Sequence, residues 1–271
     1  MMLQAVVSPS RISDIAETVA RSPSPLVMGG GTTVMPMINS GDHDIETLVS
    51  LRQLALNEVT VSKNGIVTIG ACTPISALAK QEKLSFLKGA IDSFGSPAIR
   101  NMATVGGNLF VQRPAGDLAV CLVALDATAT IAMGASKRVE AVNLLVQRGL
   151  KPGEVVTEVS FALPEPGSFK YRKAGRRALN TPSIVTVAAV VPIVNGRVKD
   201  CRIALGAVVA RPSRAPHVEQ LLEGRELNAQ SVMAAAEAAA SDIEPVDDAV
   251  ASAWYRARVT PVHIRRAILG E

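Results

Sequence analysis

The sequence predicts an α+β protein whose chain divides near residue 165. Short apolar runs of strand type alternate with helical stretches before that point, and a Pro- and Gly-rich linker occupies 163–167. Beyond the linker come two β-rich runs and then helical segments, which predicts an antiparallel sheet packed by helices. Of the 271 residues, 48% are apolar, 19% are charged and only 3% are aromatic, so we expect a substantial core of aliphatic side chains.

The first sixty residues predict a small α/β unit. Apolar residues recur at helical spacing over 11–21 and indicate an amphipathic helix. A short buried strand is expected at Leu26–Met28, where it continues directly into three glycines. A second strand is expected over 47–50.

The next stretch, up to the linker, predicts hairpins and helices. Asn64-Gly65 marks the turn of a hairpin between strands 59–61 and 66–69. Next, Thr73 as N-cap and Pro74 after it predict the start of a helix, with Ile75, Leu78 and Ala79 on its inner face. A second helix is expected over 87–94, ended by Gly95, and an irregular segment follows it. A helix capped by Asp117 and strands at 128–133 and 155–161 complete this stretch.

The last hundred residues predict a β-meander followed by helices. The β-rich runs 184–194 and 198–209 are joined by Asn195-Gly196, a strong hairpin signal. Pro192 places the first run at an edge or a bulge. Helices are expected over 216–222, 229–240 and 250–269, with Thr260-Pro261 restarting the last one.

Two glycine-rich stretches carry the main functional signal. The first consists of Gly29, Gly30, Gly31, Thr32 and Thr33, and it matches neither the G-x-G-x-x-G fingerprint nor a P-loop. Glycine lets backbone N–H groups approach an anion closely, and a concave run of such groups binds phosphate. An ordinary glycine turn is the alternative interpretation.

The second stretch contains Thr104, Gly106, Gly107 and Asn108. Its alternative interpretation is a turn or β-bulge. Two phosphate-binding stretches in one chain would suit a diphosphate, and therefore a nucleotide cofactor.

Charged residues near these stretches have two interpretations each. Asp117 could accept hydrogen bonds from ligand hydroxyls or simply cap a helix. The basic stretch Tyr171–Arg177, which includes Lys173, could contact a cofactor, or could be a solvated strand edge or a partner-binding patch. The three histidines (His43, His217 and His263) are scattered, and no catalytic residue or metal ligand is assigned.

Composition disfavours several other function classes. The net charge of +4 is small and dispersed, which argues against nucleic-acid binding. The three cysteines are isolated and lack zinc spacing, so a reducing, cytoplasmic location is expected and no iron–sulfur cluster in this chain. We expect no membrane span, because the longest near-apolar run, at 184–194, is short and interrupted by proline.

The motifs together resemble one family. The run Gly95–Leu109, the segment Pro114–Leu118 and the segment Ala124–Ala127 look like the FAD-binding (medium) subunit of molybdenum hydroxylases of the xanthine dehydrogenase and carbon monoxide dehydrogenase type. Val27–Thr33 resembles the first pyrophosphate loop of that family, although Gly29 stands for the usual Ala and Thr33 for Asp or Ser. Asn180 stands where Asp is common.

The resemblance implies the fold and the site. It implies a two-subdomain FAD-binding domain of the vanillyl-alcohol-oxidase (PCMH) type over 1–165, with subdomains 1–57 and 58–165, and a small α+β C-terminal domain over 166–271. The first glycine stretch, Thr104, Gly107 and Asn108 would hold the FAD pyrophosphate, Asp117 would hold ribityl or ribose hydroxyls, Val155 or Val156 would flank the flavin ring, and Lys173 would lie near it.

The resemblance also implies partners. A molybdopterin-binding large subunit would carry the molybdenum cofactor, and a small subunit would carry two [2Fe–2S] clusters. This chain would pass electrons from those clusters through FAD to a terminal acceptor: NAD, oxygen, quinone or a carrier protein. The alternatives are a free-standing flavin oxidoreductase of the same superfamily and a flavin-free scaffold subunit.

Overall fold

A computed structural model describes residues 3–41, 44–112, 116–177 and 180–271. The strands are β1 (Ala5–Val7), β2 (Pro25–Met28), β3 (Thr47–Ser50), β4 (Val59–Val61), β5 (Ile66–Gly70), β6 (Thr128–Met133), β7 (Ser136–Ala141), β8 (Val155–Ala162), β9 (Phe169–Gly175), β10 (Ser183–Val190), β11 (Ile193–Val194), β12 (Arg197–Val198), β13 (Arg202–Gly206) and β14 (Ser213–Arg214). The helices are α1 (Ile15–Arg21), α2 (Val34–Ser40), α3 (Ile75–Leu78), α4 (Lys88–Ser93), α5 (Pro97–Met102), α6 (Val105–Asn108), α7 (Asp117–Ala124), α8 (Val142–Arg148), α9 (Pro216–Leu222), α10 (Ala229–Glu237) and α11 (Ala253–Leu269). Short 3-10 helices cover Ile12–Asp14, Glu82–Leu87 and Ala238–Ser241.

The first sheet is parallel and has the order β1-β3-β2. Ile15 and Val19 of α1 are buried and pack with Val49 and Leu51 of the β3 region. The predicted α/β unit is confirmed. The sequence did not predict β1, which is only three residues long and exposed, or α2, which contains no buried residue and therefore shows no helical apolar pattern.

The second sheet is antiparallel, with the order β4-β5-β8-β6-β7. The hairpin β4–β5 forms as predicted around Asn64-Gly65, where Gly65 has a φ of 79°. The edge strand β7 was not predicted, because its exposed polar residues give no apolar alternation. Helix α8, which follows it, was also missed.

Two expectations for the segment between β5 and β6 were wrong. The stretch before residue 110 is not irregular but forms α5 and α6, whose N-caps Ser96 and Thr104 accept hydrogen bonds from the amides of Ile99 and Gly107. Pro74, not Thr73, is the N-cap of α3.

The inner face of α3 was predicted correctly only in part. Ile75 and Leu78 are buried as predicted, but Ala79 is exposed and lies just past the end of the helix. The 3-10 helix Glu82–Leu87 and α4 replace the single helix predicted over 87–94, which does end before Gly95.

The third sheet has the order β14-β13-β10-β9 and lies between two helical layers. Every residue of β10 is buried. Ala188 and Val190 pack into the core that contains α7, whereas Val185 and Val187 pack into the core formed with α9, α10 and α11. The predicted antiparallel sheet with C-terminal helices is therefore confirmed, and α7 covers its other face.

Two details of this part differ from prediction. The Asn195-Gly196 turn joins only the two-residue ribbon β11–β12, because Pro192 separates that ribbon from β10. Helix α11 is continuous from Ala253 to Leu269 with Pro261 inside it, so Thr260 does not restart it. Thr260 is buried and donates its hydroxyl to the carbonyl of Arg256, one turn back. Within the described ranges, no helix combines the length and the apolar character that crossing a bilayer requires.

Candidate functional site

The first glycine stretch forms the loop between β2 and α2. Gly31 has a φ of 76°, a conformation that favours glycine, and it turns the chain into the helix. Among the described residues, no hydrogen bond is donated by the backbone N–H groups from Gly29 to Thr33. Because these residues are partly or fully exposed, their N–H groups are available to donate hydrogen bonds to an anion.

The two glycine stretches lie in direct contact. A Cβ atom added at Gly30 would be 1.7 Å from the carbonyl oxygen of Met102, and one at Gly29 would be 2.8 Å from Thr104 Oγ1. Glycine is therefore required at Gly30 for the loop to approach α5 and α6 this closely. The fold thus brings together the two stretches that the family resemblance assigns to one pyrophosphate.

Most backbone N–H groups of the second stretch already donate hydrogen bonds within the protein. The amides of Val105 and Gly106 donate to the carbonyls of Thr73 and Ala71, and that of Asn108 donates to the carbonyl of Thr104. The Gly107 amide makes a longer bond, 3.3 Å, to Thr104 Oγ1, and Gly107 is exposed while Thr104 is buried. Gly107 is therefore the position of this stretch that a ligand can reach most directly.

Asn108 is buried and supports α7. Its side-chain oxygen accepts a hydrogen bond of 2.9 Å from the backbone N–H of Ala119, in the first turn of α7. The N-cap position of α7 is Gly116, which has no side chain. The predicted capping role of Asp117 is therefore wrong, since Asn108 from the glycine stretch satisfies an amide that the N-cap leaves free.

Asp117, the first residue of α7, lies at a buried polar centre. Its Oδ2 accepts a bond of 2.6 Å from Lys173 Nζ on β9, and the two side chains are 6% and 8% exposed. Its Oδ1 accepts from the hydroxyls of Ser183 (2.8 Å) and Thr186 (3.0 Å) on β10. Lys173 also donates to the carbonyl oxygen of Ser93, at 3.2 Å.

Ser183 and Thr186 were not among the site residues predicted from the sequence. Both lie on β10, whose sequence Ser-Ile-Val-Thr-Val-Ala-Ala-Val is otherwise apolar. Isolated hydroxyl residues in a fully buried strand need hydrogen-bond partners, and this requirement could have indicated that Ser183 and Thr186 belong to a buried polar cluster.

The remaining residues singled out in the sequence lie in the core, on β9 or outside the described ranges. Val156 is 4% exposed, pairs with Ile131 across the sheet and belongs to the core, and Val155 is buried as well. The basic stretch is largely the partly buried strand β9. His43 and Arg113–Ala115 lie outside the described residues.

Comparison with known families identifies the chain. Residues 2–165 match the family described as the FAD binding domain in molybdopterin dehydrogenase, and residues 169–270 match the CO dehydrogenase flavoprotein C-terminal domain. The chain belongs to the FAD-binding subunits of the molybdenum hydroxylase family. It is therefore an oxidoreductase subunit, with FAD as its cofactor.

Relatives of this FAD-binding subunit match along most of their length. The glyceraldehyde dehydrogenase medium chain of Sulfolobus acidocaldarius is 29% identical, over 89% of this chain and 88% of the relative. The nicotine 6-hydroxylase medium subunit of Paenarthrobacter nicotinovorans is 28% identical, over 99% and 98%. Carbon monoxide dehydrogenase from Hydrogenophaga pseudoflava superimposes with a TM-score of 0.92 at 22% identity, covering 99% of this chain and 96% of that one.

The first glycine stretch fits the diphosphate of FAD. A diphosphate needs several N–H donors, and this loop offers a run of them without competing partners in the described structure. Side chains at Gly29 or Gly30 would fill the space against Thr104 and Met102. The same comparison confirms the predicted α+β architecture, with an FAD-binding domain followed by a C-terminal domain.

Proposed function

We propose that this subunit transfers electrons within a molybdenum hydroxylase complex, from the [2Fe–2S] clusters of a small subunit to a terminal acceptor. Bound FAD supplies the redox chemistry, because it exchanges electrons singly or in pairs. The chain's own part is to bind the cofactor, orient it and tune its surroundings. The contact between the Gly29–Gly30 backbone and residues Met102–Thr104, in a chain of this family, is the observation that carries the proposal.

The binding site in this proposal is built around that contact. The N–H groups of Gly29, Gly30, Gly31, Thr32 and Thr33 hold one side of the pyrophosphate. Thr104 and Gly107 complete the cradle from α6, while Asn108 acts through its hold on α7. Hydrogen bonds to charged groups stabilise by about 1.5–3 kcal/mol each, so such a loop contributes much of the affinity.

Apolar side chains at the same place suit a flat ring. Met35 is 39% exposed and its Cγ lies 3.4 Å from the position of a Cβ at Gly31, and Met102 is 57% exposed beside Gly30. Methionine adapts its shape to aromatic surfaces. We propose that these two side chains contact a ring of the cofactor next to the pyrophosphate.

The remaining residues of the proposed site lie deeper in the protein. We retain Asp117 as the group that binds ribityl or ribose hydroxyls, because Oδ2 has one described donor, Lys173, and keeps further acceptor capacity. Val156 and Lys173 remain the proposed neighbours of the flavin ring.

The proposed assembly contains a molybdopterin-binding large subunit and a [2Fe–2S] small subunit. Several relatives are named as a medium chain or medium subunit, which supports a complex of unlike chains. Within this chain we propose that residues 1–165 hold FAD and that residues 166–271 form the C-terminal unit.

The first experiment is the visible absorption spectrum of the purified chain, followed by acid release and mass identification of the chromophore. We expect flavin bands and FAD, and co-expression with the genes of candidate large and small subunits should give a complex containing molybdenum and iron. A flavin-containing chain that oxidises substrates alone would favour the free-standing oxidoreductase instead. A folded, colourless chain that does not bind added FAD would favour the scaffold role.

A further inference from the structure

A basic pocket lies between β9 and α11, away from the glycine stretches. Its volume is about 490 Å³. The side chains that matter here, which define what we call the basic pocket, are Arg172, Arg176, Arg177, Tyr255, His263 and Arg266. No Asp or Glu lines it in the part of the chain that the structure describes.

Strand alternation separates this pocket from the buried centre at Asp117. Lys173 on β9 points to Asp117, whereas its neighbour Arg172 points to α11 and donates from Nε to His263 Nδ1, at 3.3 Å. Adjacent residues of a strand face opposite sides of the sheet. Lys173 also borders the pocket, but its Nζ is bonded to Asp117 and to the carbonyl of Ser93, so the donors that the pocket offers come from its arginines.

The arginines of the pocket lack carboxylate side-chain partners. Within the described ranges, Arg172, Arg176, Arg177 and Arg266 make no salt bridge to Asp or Glu, although other arginines of the chain do. Arg176 donates to the carbonyl of Val250 and Arg177 to that of Asn180, so both keep further N–H donors. Arg172 also donates from Nη1 to the main-chain oxygen of Glu271, so the guanidinium groups left for a bound anion to stabilise are those of Arg176, Arg177 and Arg266.

His263 responds to this positive field. Burial and, to a smaller extent, the charges of Arg172 and Arg266 together lower the pKa of His263 to about 4. At neutral pH its ring is therefore uncharged and accepts the Arg172 hydrogen bond. The histidine thus holds a guanidinium in place without adding positive charge of its own.

We propose that the basic pocket binds a phosphoryl group, either of free phosphate or diphosphate or of a nucleotide, at a site separate from the glycine stretches. Arginine forks match phosphate oxygens with two parallel hydrogen bonds. Tyr255, 43% exposed, adds a hydroxyl and a ring face at the edge of the pocket. This site does not depend on FAD binding and goes beyond the electron-transfer role.

Titration calorimetry of the full chain with pyrophosphate, and separately with ADP, tests the proposal at constant ionic strength. We expect Arg266→Gln and Arg176→Gln each to weaken binding about tenfold or more. Arg258→Gln is the matched control, because Arg258 is exposed on the same helix and does not line the pocket. Equal losses in Arg258→Gln and Arg266→Gln would mean a general charge effect and would overturn the site.

Two further comparisons separate this site from the glycine stretches. The Gly30→Ala variant, which the FAD proposal expects to lose flavin, should still bind pyrophosphate. If Gly30→Ala lost pyrophosphate binding while Arg266→Gln kept it, the pocket assignment would be overturned. Tighter binding of ADP than of pyrophosphate would identify a nucleotide ligand, and equal binding would identify the phosphoryl group alone. Absence of binding by either probe to the folded parent chain would refute the proposal.

A spectroscopic readout locates the ligand. The ring protons of His263, assigned by comparison with His263→Asn, should shift when pyrophosphate is added, while those of His217 should not. His217 is bonded to Asp242 through Nδ1, at 2.7 Å, and does not line the basic pocket. Shifts of equal size at both histidines would contradict a localised site.

Discussion

Asp117 and Lys173 form a buried ion pair that joins the two parts of the chain. The oxygen–nitrogen distance is 2.6 Å, and it links the first residue of α7 to the middle of β9. Ser183 and Thr186 complete the polar shell of the carboxylate. The pair therefore lies where the first part packs on the sheet of the second, and any cofactor contact of Asp117 is coupled to that packing.

Breaking this pair should destabilise the whole chain. We expect Lys173→Met to reduce the free energy of unfolding by about 3–5 kcal/mol, because it leaves a buried carboxylate without its counter-charge. Urea unfolding of the flavin-free protein measures this. Asp92→Asn, which breaks the exposed Lys88–Asp92 pair, is the control and should cost at most about 1 kcal/mol. Similar costs for the two variants would contradict the buried role.

The contact between the glycine stretches should be essential for FAD retention. In Gly30→Ala the new Cβ would overlap the Met102 carbonyl, so the loop must move away from α5 and α6. We expect FAD affinity to fall about tenfold or more, measured by fluorescence titration of the apoprotein. Gly89→Ala is the control, since its Cβ would meet only Tyr171 at 3.6 Å. Normal FAD binding by a folded Gly30→Ala protein would disprove the cradle.

An ion-pair network near β7 and α8 should make stability depend on pH. Arg148 bonds both Glu140 and Glu154, and Arg138 bonds both as well. The hydrogen bond from Arg148 lowers the pKa of Glu140 below its usual 4.5. Burial raises the pKa of Glu154, but the Lys151 amide and Arg148 outweigh burial and lower it overall.

Because both folded pKa values are depressed, the network's contribution is present above about pH 4.5 and is lost as pH falls through the folded values. Arg148→Gln should therefore be less stable than the parent at pH 7, and the difference should shrink towards pH 3. Urea unfolding at several pH values measures it. A difference that does not change with pH would contradict the network.

The buried Arg256 should be irreplaceable by an apolar side chain. Its side chain is 0% exposed and donates to the carbonyls of Ser183, Ile184 and Ala207 and to both oxygens of Asp248. We expect Arg256→Met to cost about 3–5 kcal/mol in urea unfolding, because it leaves these acceptors unpaired. Arg258→Met, at an exposed position of the same helix, should change stability little. Equal effects of the two substitutions would contradict this role.

The sequence predicted those features that leave a local signal. Asn64-Gly65 predicted a hairpin because its turn geometry is local, and the short apolar runs predicted strands that form at nearly the expected positions. Short exposed elements such as β1 and α2 gave no signal, since they bury little apolar surface. The prediction that Thr260-Pro261 restarts a helix was wrong. Helix α11 continues through Pro261 because its packing against β9 and β10 overrides the local preference.

For the candidate site, the sequence indicated residues but not the bonds that they make to one another. The resemblance implied that the two glycine stretches hold one pyrophosphate, and the structure places them in contact; that contact depends on how the loop after β2 meets α5, which no local pattern encodes. The cap of α7 was assigned to Asp117, whereas Asn108 fills that role from a distant position. Long-range side-chain pairings of this kind follow from the tertiary arrangement.

The sheet between two helical layers has a consequence for folding. Ala188, Val190 and Ala204 of the second part belong to the same core as α7 of the first, so a cut in the linker at 163–167 would expose apolar surface on both fragments. Unfolding of the intact chain should then be a single cooperative event. Separately produced halves should associate with each other or aggregate. The linker therefore divides the sequence into two parts, but these parts should not unfold independently of each other.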